Sequence, residues 1–293
     1  MRNLNAESNF LAADITFCHA SAPPFIVNSK RYNNRKPYQF QVFFEKILII
    51  FYLAVQDHLN NRLKDGNIQI YYFVKKGRFM IKAVLFDLDG TIADTLMDLA
   101  DSANHVLQQN GYPTHNTECY KVFVGNGIAK LIERILPEQD RTQENVLNLK
   151  AQFVDYYTKH YCDKTRPYDG VPQMLDALKQ RGIKIAVVTN KAQPMAQAVV
   201  DKLYGKNFCS VYGQREDMPT KPDPALTLLA MSELSVEPSQ CLFVGDSNVD
   251  IYNAINSGAY PVGVLWGFRS EEELKAAGAK AVLSRPEQLL ELI

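Results

Sequence analysis

From residue 80 to the C-terminus the sequence predicts an α/β fold, a doubly wound parallel sheet with helices on both faces. Three observations carry this. Short runs rich in Val and Ile alternate with helical patterns, the runs are apolar at consecutive positions, and three of them are followed by Asp, Thr or Gly. A strand that is apolar throughout is buried on both faces, which is the condition of a parallel sheet between two helical layers. The alternation itself implies βαβ units.

In chain order, strands are predicted at residues 81–86 (IKAVLF), 183–188 (IKIAVV), 242–244 and 261–265. Helices are expected at about 171–181, 193–204, 223–234, 248–257 and 286–292, with Gly182 and Gly258 placed as C-terminal stops. One stretch breaks the alternation. Between residues 96 and 167 only helical patterning appears, with apolar positions at Leu131, Ile132, Ile135 and Leu136, then at Val146, Leu149, Phe153 and Tyr157. This predicts an all-helical insertion after the first strand, so that residues 80–95 and 168–293 form a core and residues 96–167 a second, smaller domain over the sheet edge.

The 293 residues carry 32 Lys plus Arg against 32 Asp plus Glu, a net charge of zero. Neutrality argues against a surface devoted to nucleic acid or anionic membrane. It also hides an asymmetry: residues 1–79 hold 11 basic against 5 acidic side chains, +6, which leaves 21 against 27, −6, for the remainder. The first segment also holds nine of the fifteen Phe, nine Asn and two Gly. Its apolar run, residues 47–55, is far shorter than the roughly 20 residues a membrane helix needs, and it lies too far from the N-terminus for a signal peptide. Lys75-Lys76-Gly77-Arg78 is what a purine-rich ribosome-binding site would encode if read in frame, so Met80 is expected to be the start and residues 1–79 translated upstream sequence, with a real but unstructured or partner-binding extension as the alternative. The five cysteines, Cys18, Cys119, Cys162, Cys209 and Cys241, never form a C-x-x-C pair, which points to buried or half-buried free thiols in a reducing cytoplasm.

Ligands of open α/β sheets bind beyond the carboxyl ends of the strands. There the chain places Asp87-Leu88-Asp89-Gly90-Thr91, Thr189-Asn190-Lys191, and Gly245-Asp246-Ser247-Asn248-Val249-Asp250. Asp87, Asp89, Asp246 and Asp250 would crowd one crevice, an arrangement that requires a compensating cation. Oxygen ligands without His or Cys suit a hard ion, Mg²⁺. Asp246 and Asp250, four apart, share a face if the helix begins at once. Gly90 and Thr91 lie in a turn whose backbone amides could meet an anion, Thr189 offers a hydroxyl, and Lys221, stiffened by Pro222 and Pro224, offers a point charge for phosphate.

D-L-D-G-T, V-V-T-N, K-P-D-P and G-D-S-x-x-D, in that order over residues 80–293, resemble the four motifs of the haloacid dehalogenase superfamily, whose core is Rossmann-like. The second Asp of the first motif marks its phosphotransferase branch. The resemblance implies that Asp87 is the nucleophile, forming an aspartyl-phosphate, and that Asp89 is the general acid and base. It also implies that Mg²⁺ is held by Asp87, the main-chain carbonyl of Asp89, and Asp246, with Asp250 close behind, while Gly90, Thr91, Thr189, Asn190 and Lys221 bind phosphate. The insertion is similar to the superfamily's C1 cap. With Gly125-Asn126-Gly127, Tyr168-Asp169-Gly170-Val171 and Thr189-Asn190-Lys191, the chain resembles the phosphoglycolate phosphatase group. The resemblance implies a small phosphorylated metabolite as partner, its carboxylate held by Gly125, Asn126, Gly127 and Arg134, and a monomer or homodimer. Pyrophosphate, sugar phosphates, nucleoside monophosphates and a β-phosphoglucomutase-like mutase reaction remain alternatives.

The five His form no cluster, and Met195, Met231, Tyr156, Tyr157 and Tyr161 are read as packing. Trp266-Gly267-Phe268-Arg269 follows the last predicted strand and is placed at the crevice border.

Overall fold

The structure, a computed structural model, describes residues 80–293. The reading of residues 1–79 as upstream sequence lies outside the described residues. The chain begins with β1 (Ala83–Phe86), β2 (Ala93–Asp94) and four helices, α1 (Leu96–Gln109), α2 (Thr117–Phe123), α3 (Ile128–Ile135) and α4 (Gln143–His160). It returns through β3 (Arg166–Pro167) to α5 (Val171–Gln180), β4 (Lys184–Ala192), α6 (Gln193–Tyr204), β5 (Ser210–Gln214) and α7 (Ala225–Glu233). It closes with β6 (Cys241–Gly245), α8 (Asn248–Ser257), β7 (Tyr260–Val264), α9 (Glu271–Ala277), β8 (Ala281–Leu283) and a 3₁₀ turn, Pro286–Glu291.

The sheet is parallel and ordered β5-β4-β1-β6-β7-β8. Phe86 is in register with Val187 on one side and Val244 on the other. The chain builds outward from β1 to β5, then crosses to β6 and builds the other way. The crevice beside the β1 terminus is therefore a topological switch point, where open sheets bind ligands. The continuous apolar strands do face helices on both sides. Val84 and Phe86 pack with Met174, Leu178, Val199 and Val200, whereas Ala83 and Leu85 pack with Leu226, Met231 and Ala254. Each fully buried Val, Leu or Phe of this kind contributes roughly 1.5–3 kcal/mol.

Several expectations need correction. β4 runs on to Ala192, so Thr189, Asn190 and Lys191 are strand residues rather than a loop. Two edge strands, β5 and β8, and the helix α9 were not read from the sequence. β5 approaches so closely that a Cβ on Gly213 would lie 2.6 Å from Gln193 Cα and 2.7 Å from the Lys191 carbonyl oxygen, so the strand carries a Gly where apolar patterning expects a side chain. The insertion is not wholly helical: Arg166–Pro167 pairs antiparallel with Ala93–Asp94 where the chain leaves and re-enters the core. Cys119 and Cys209 are exposed rather than buried. The final helix is a 3₁₀ turn.

The helices α1 to α4 enclose a second apolar cluster, including Leu107, Tyr120, Ile132, Phe153 and Tyr157, to which α6 adds Met195. Asn116 and Thr142 cap α2 and α4 by accepting from the amides of Glu118 and Asn145. Buried Asp98 on α1 accepts from the Lys164 and Thr165 amides and the Thr165 hydroxyl, tying the returning chain to the first cap helix. No helix among the described residues is long and apolar enough to cross a membrane.

Candidate active site

Three strand ends converge where the order reverses. Asp87 follows β1, and Asp246 and Asp250 follow β6; one carboxylate oxygen from each lies within 4.8 Å of the others, and all three side chains are buried. Lys221, on the approach to α7, donates to Asp87 Oδ1 and Asp250 Oδ1, both at 2.7 Å, and to the Val188 carbonyl at 3.1 Å. Its backbone is clamped by Asn190, which accepts from the Lys221 amide at 2.8 Å and donates to its carbonyl at 3.1 Å. Burial pushes the Asp87 carboxyl up to about 6; Lys221 opposes the shift and Asp250 adds to it. Burial, then the charges of Asp250 and Asp87, raises Asp246 well above the carboxylate range. Burial pulls Lys221 down, but Asp250 and Asp87 outweigh it and keep the ammonium charged.

Asp250 does not sit beside Asp246 on one helical turn. Ser247 is the N-cap of α8, so Asp246 precedes the helix, and Asp250 Oδ2 accepts from the Ser247 amide and hydroxyl at 3.0 and 2.6 Å. With Oδ1 on Lys221, Asp250 anchors the ammonium. Asp246 is held from the other side, accepting from the Phe268 amide at 2.7 Å and from Thr91 Oγ1 at 3.3 Å. Two glycines permit this approach: a Cβ on Gly90 or on Gly267 would lie 2.3 Å from an Asp246 side-chain atom. Trp266 Nε1 donates to the Thr91 carbonyl at 2.8 Å, so the 266–269 segment braces the crevice as its position suggested.

The anion role expected of the Gly90 and Thr91 amides is not seen. They donate to the carbonyls of Ala93 and Leu88, closing the turn, and the Thr91 hydroxyl serves Asp246. The Asp89 side chain stands apart from the three clustered carboxylates and pairs with Lys191, whose Nζ lies 3.0 and 3.2 Å from its two oxygens. Any metal contact from Asp89 is therefore left to its carbonyl. Lys191 also donates to the Tyr157 hydroxyl at 2.9 Å, with the ring centroid at 4.8 Å. Burial opposes the Lys191 charge, yet Asp89 and Tyr157 keep it well above the ordinary range, while burial pushes the Tyr157 phenol up to about 12. Tyr157 is thus more than the packing residue its spacing suggested. Neither Lys191 nor Tyr157 was given a role at the site from the sequence, and the T-N-K triplet at a strand end was the available signal.

These groups line a cavity of about 40 Å³ between the sheet edge and the cap, floored by Asp87, Asp89, Thr189 and Asn190. That is room for about three waters or one small group. Gly125 and Gly127 border it, but Asn126 and Arg134 do not. Arg134 donates to Asn126 Oδ1 at 2.7 Å and to the Phe123 carbonyl at 2.8 Å, so it braces the Gly-Asn-Gly loop from behind. The core grips this loop directly. Asn190 Nδ2 donates to the Gly125 carbonyl at 3.1 Å, and Arg269 donates to the carbonyls of Lys121, Val122 and Val124.

Three buried carboxylates against one ammonium leave an excess of negative charge, and the donors are all oxygen. Both features fit a hard divalent cation such as Mg²⁺. Asp87 and Asp246 are the side chains that would hold it, since Asp250 has one oxygen on Lys221 and the other on the Ser247 amide and hydroxyl.

Comparison with known proteins agrees with this geometry. The haloacid dehalogenase-like hydrolase family model matches residues 84–264. An N-acetylmuramic acid 6-phosphate phosphatase from Pseudomonas aeruginosa is 31% identical over 218 residues, 74% of this chain and 96% of its own. A phosphoglycolate phosphatase from Aquifex aeolicus is 30% identical over 73% of this chain and 97% of its own. Among solved structures, a predicted phosphoglycolate phosphatase from Haemophilus somnus superposes with a TM-score of 0.67 at 28% identity, covering 72% of this chain and 97% of its own.

Proposed function

Because the chain belongs to the haloacid dehalogenase-like hydrolases and is a phosphoric monoester hydrolase, we propose that it converts 2-phosphoglycolate to glycolate and phosphate in a Mg²⁺-dependent reaction in the cytoplasm. The observation that carries this reading is the small capped cavity that both Asp87 and Asp89 line, with Lys221 fixed on the first and Lys191 on the second.

In this reading an Asp87 oxygen attacks phosphorus, the phosphorus–oxygen ester bond breaks, and Asp89 protonates the departing alkoxide. Asp89 then takes a proton from water as the water oxygen attacks the aspartyl-phosphate, which releases phosphate and restores Asp87. Lys221 orients Asp87, and together with the Thr189 hydroxyl it faces the equatorial oxygens of the transferring group. Mg²⁺, when bound by Asp87, Asp246 and the Asp89 carbonyl, supplies the charge neutralisation that one lysine cannot. The apolar wall formed by Leu99, Ile128 and Leu131 of the cap with Met195 of α6 keeps bulk water out.

The test is a phosphate-release panel in Mg²⁺, setting 2-phosphoglycolate beside N-acetylmuramic acid 6-phosphate, pyrophosphate, nucleoside monophosphates and hexose phosphates, with Asp87→Asn as the blank. The highest kcat/KM is expected for 2-phosphoglycolate. Preference for a sugar phosphate would move the substrate assignment toward the Pseudomonas relative's. Conversion of β-glucose 1-phosphate without phosphate release would identify a mutase, and equal activity in the blank would falsify the mechanism.

A further inference from the structure

We propose that Lys191 is the specificity residue of this site and binds a carboxylate on the non-transferred half of the substrate. The proposal rests on the reading of the cavity as a phosphoester site and adds to it the residue that holds the substrate's tail. Arg134, the side chain expected for this role, is turned away and occupied by Asn126 and backbone carbonyls. Among the residues that line the cavity, Lys191 carries the one cationic side chain.

Its surroundings suit the task. The ammonium is nearly inaccessible to bulk solvent, with 4% of the side chain exposed, and its position is set from two domains, by Asp89 of the core and Tyr157 of cap helix α4. Of its contacts, two go to one carboxylate, at 3.0 and 3.2 Å. Giving up the longer one frees an N–H for a second acceptor while the pair with Asp89 persists. Leu99, Ile128 and Leu131 of the cap and Met195 of α6 form an apolar wall, against which an unpaired carboxylate would be strongly disfavoured. An anionic tail entering this space therefore meets one cationic side chain among the lining residues, already held in place, so little ordering cost accompanies binding.

Binding of non-hydrolysable analogues isolates this role from turnover. The full-length Mg²⁺-loaded protein is titrated calorimetrically with 3-phosphonopropionate, which has a carboxylate tail, and with 3-hydroxypropylphosphonate, which has a neutral one. A charge-assisted hydrogen bond predicts that the first binds at least about tenfold more tightly. Lys191→Met alone would leave the half-buried Asp89 as an unpaired charge, so the informative variants are Asp89→Asn and Asp89→Asn/Lys191→Met. Asp89→Asn keeps or increases the preference, because Lys191 loses its competing carboxylate. In the double variant the preference collapses to within about twofold of unity, with the neutral analogue's Kd little changed. Retained preference in the double variant, or none in the unaltered protein, overturns the proposal. An intact, Lys191-dependent preference in a protein that does not turn over 2-phosphoglycolate would remove the hydrolytic reading and leave this one standing.

Discussion

Two buried lysines stand at the same sheet edge, each joined to an aspartate of the first motif, and they are held in opposite ways. Lys221 is enclosed by the core alone, through Asp87, Asp250, the Val188 carbonyl and the Asn190 clamp. Lys191 is shared, with Asp89 from the core on one side and Tyr157 from the cap on the other. The difference separates two tasks. The charge balance around Asp87 is built into core elements and does not require the cap, whereas the surroundings of Lys191 are complete only where cap and core touch.

The largest effect expected on the core side is from Asp87→Asn, which should lower Mg²⁺-dependent phosphate release by at least about 10⁴-fold with the fold intact by circular dichroism. Activity persisting near wild type would remove Asp87 from the chemistry. Lys221→Met leaves Asp87 and Asp250 buried without their cation and should reduce stability by about 3–5 kcal/mol in urea melts, partly restored by Mg²⁺. A loss well under about 1 kcal/mol would erase the distinction between the two lysines.

The pH dependence sharpens the same point. Burial raises Asp87 from 3.8 to about 6 in the folded state, so between those values the folded protein holds a proton that the unfolded chain has released. The contribution is favourable below pH 3.8 and is lost as pH rises toward 6, amounting to about 3 kcal/mol for the metal-free protein. Urea melts of the metal-free chain should show this decline, and Asp87→Asn should flatten it. Parallel profiles for the two proteins would count against a buried carboxyl. Last comes the cap. Arg269→Met removes the core's grip on the carbonyls of Lys121, Val122 and Val124 and should raise KM by roughly tenfold while kcat falls less. An equal fall in kcat with unchanged KM would show that cap docking acts on the Lys221 side as well.

Much of this arrangement was legible before any coordinates. β1, β4, β6 and β7 are continuous apolar runs because both their faces are buried, and three of the four motifs lie at the ends of β1, β4 and β6. The edge strands were harder to see. β5 carries Gly213 and Gln214, and β8 is three residues long, since an edge strand needs less apolar surface than a central one. Arg134 was misassigned for a related reason: the sequence shows that an arginine lies near the Gly-Asn-Gly loop but not which side of the loop it faces. Lys191 was passed over because its partner Asp89 is 102 positions away and meets it only through the pairing of β1 with β4.

By itself the amino-acid sequence determined the class of fold and the presence of four acidic groups at one sheet edge, because parallel strands necessarily gather their carboxyl ends on the same side. Partner choice was left to the tertiary structure. Whether a given aspartate faces a lysine, a hydroxyl or another aspartate depends on differences of a few ångströms set by strand order, by the close approach that Gly90 and Gly267 allow at Asp246, and by the docking of the cap. Hydrogen bonds and ion pairs weaken steeply over such distances once water is excluded. The same four carboxylates thereby become a charge cluster fixed on Lys221 and a separate pair, Asp89 and Lys191, opened to the cap.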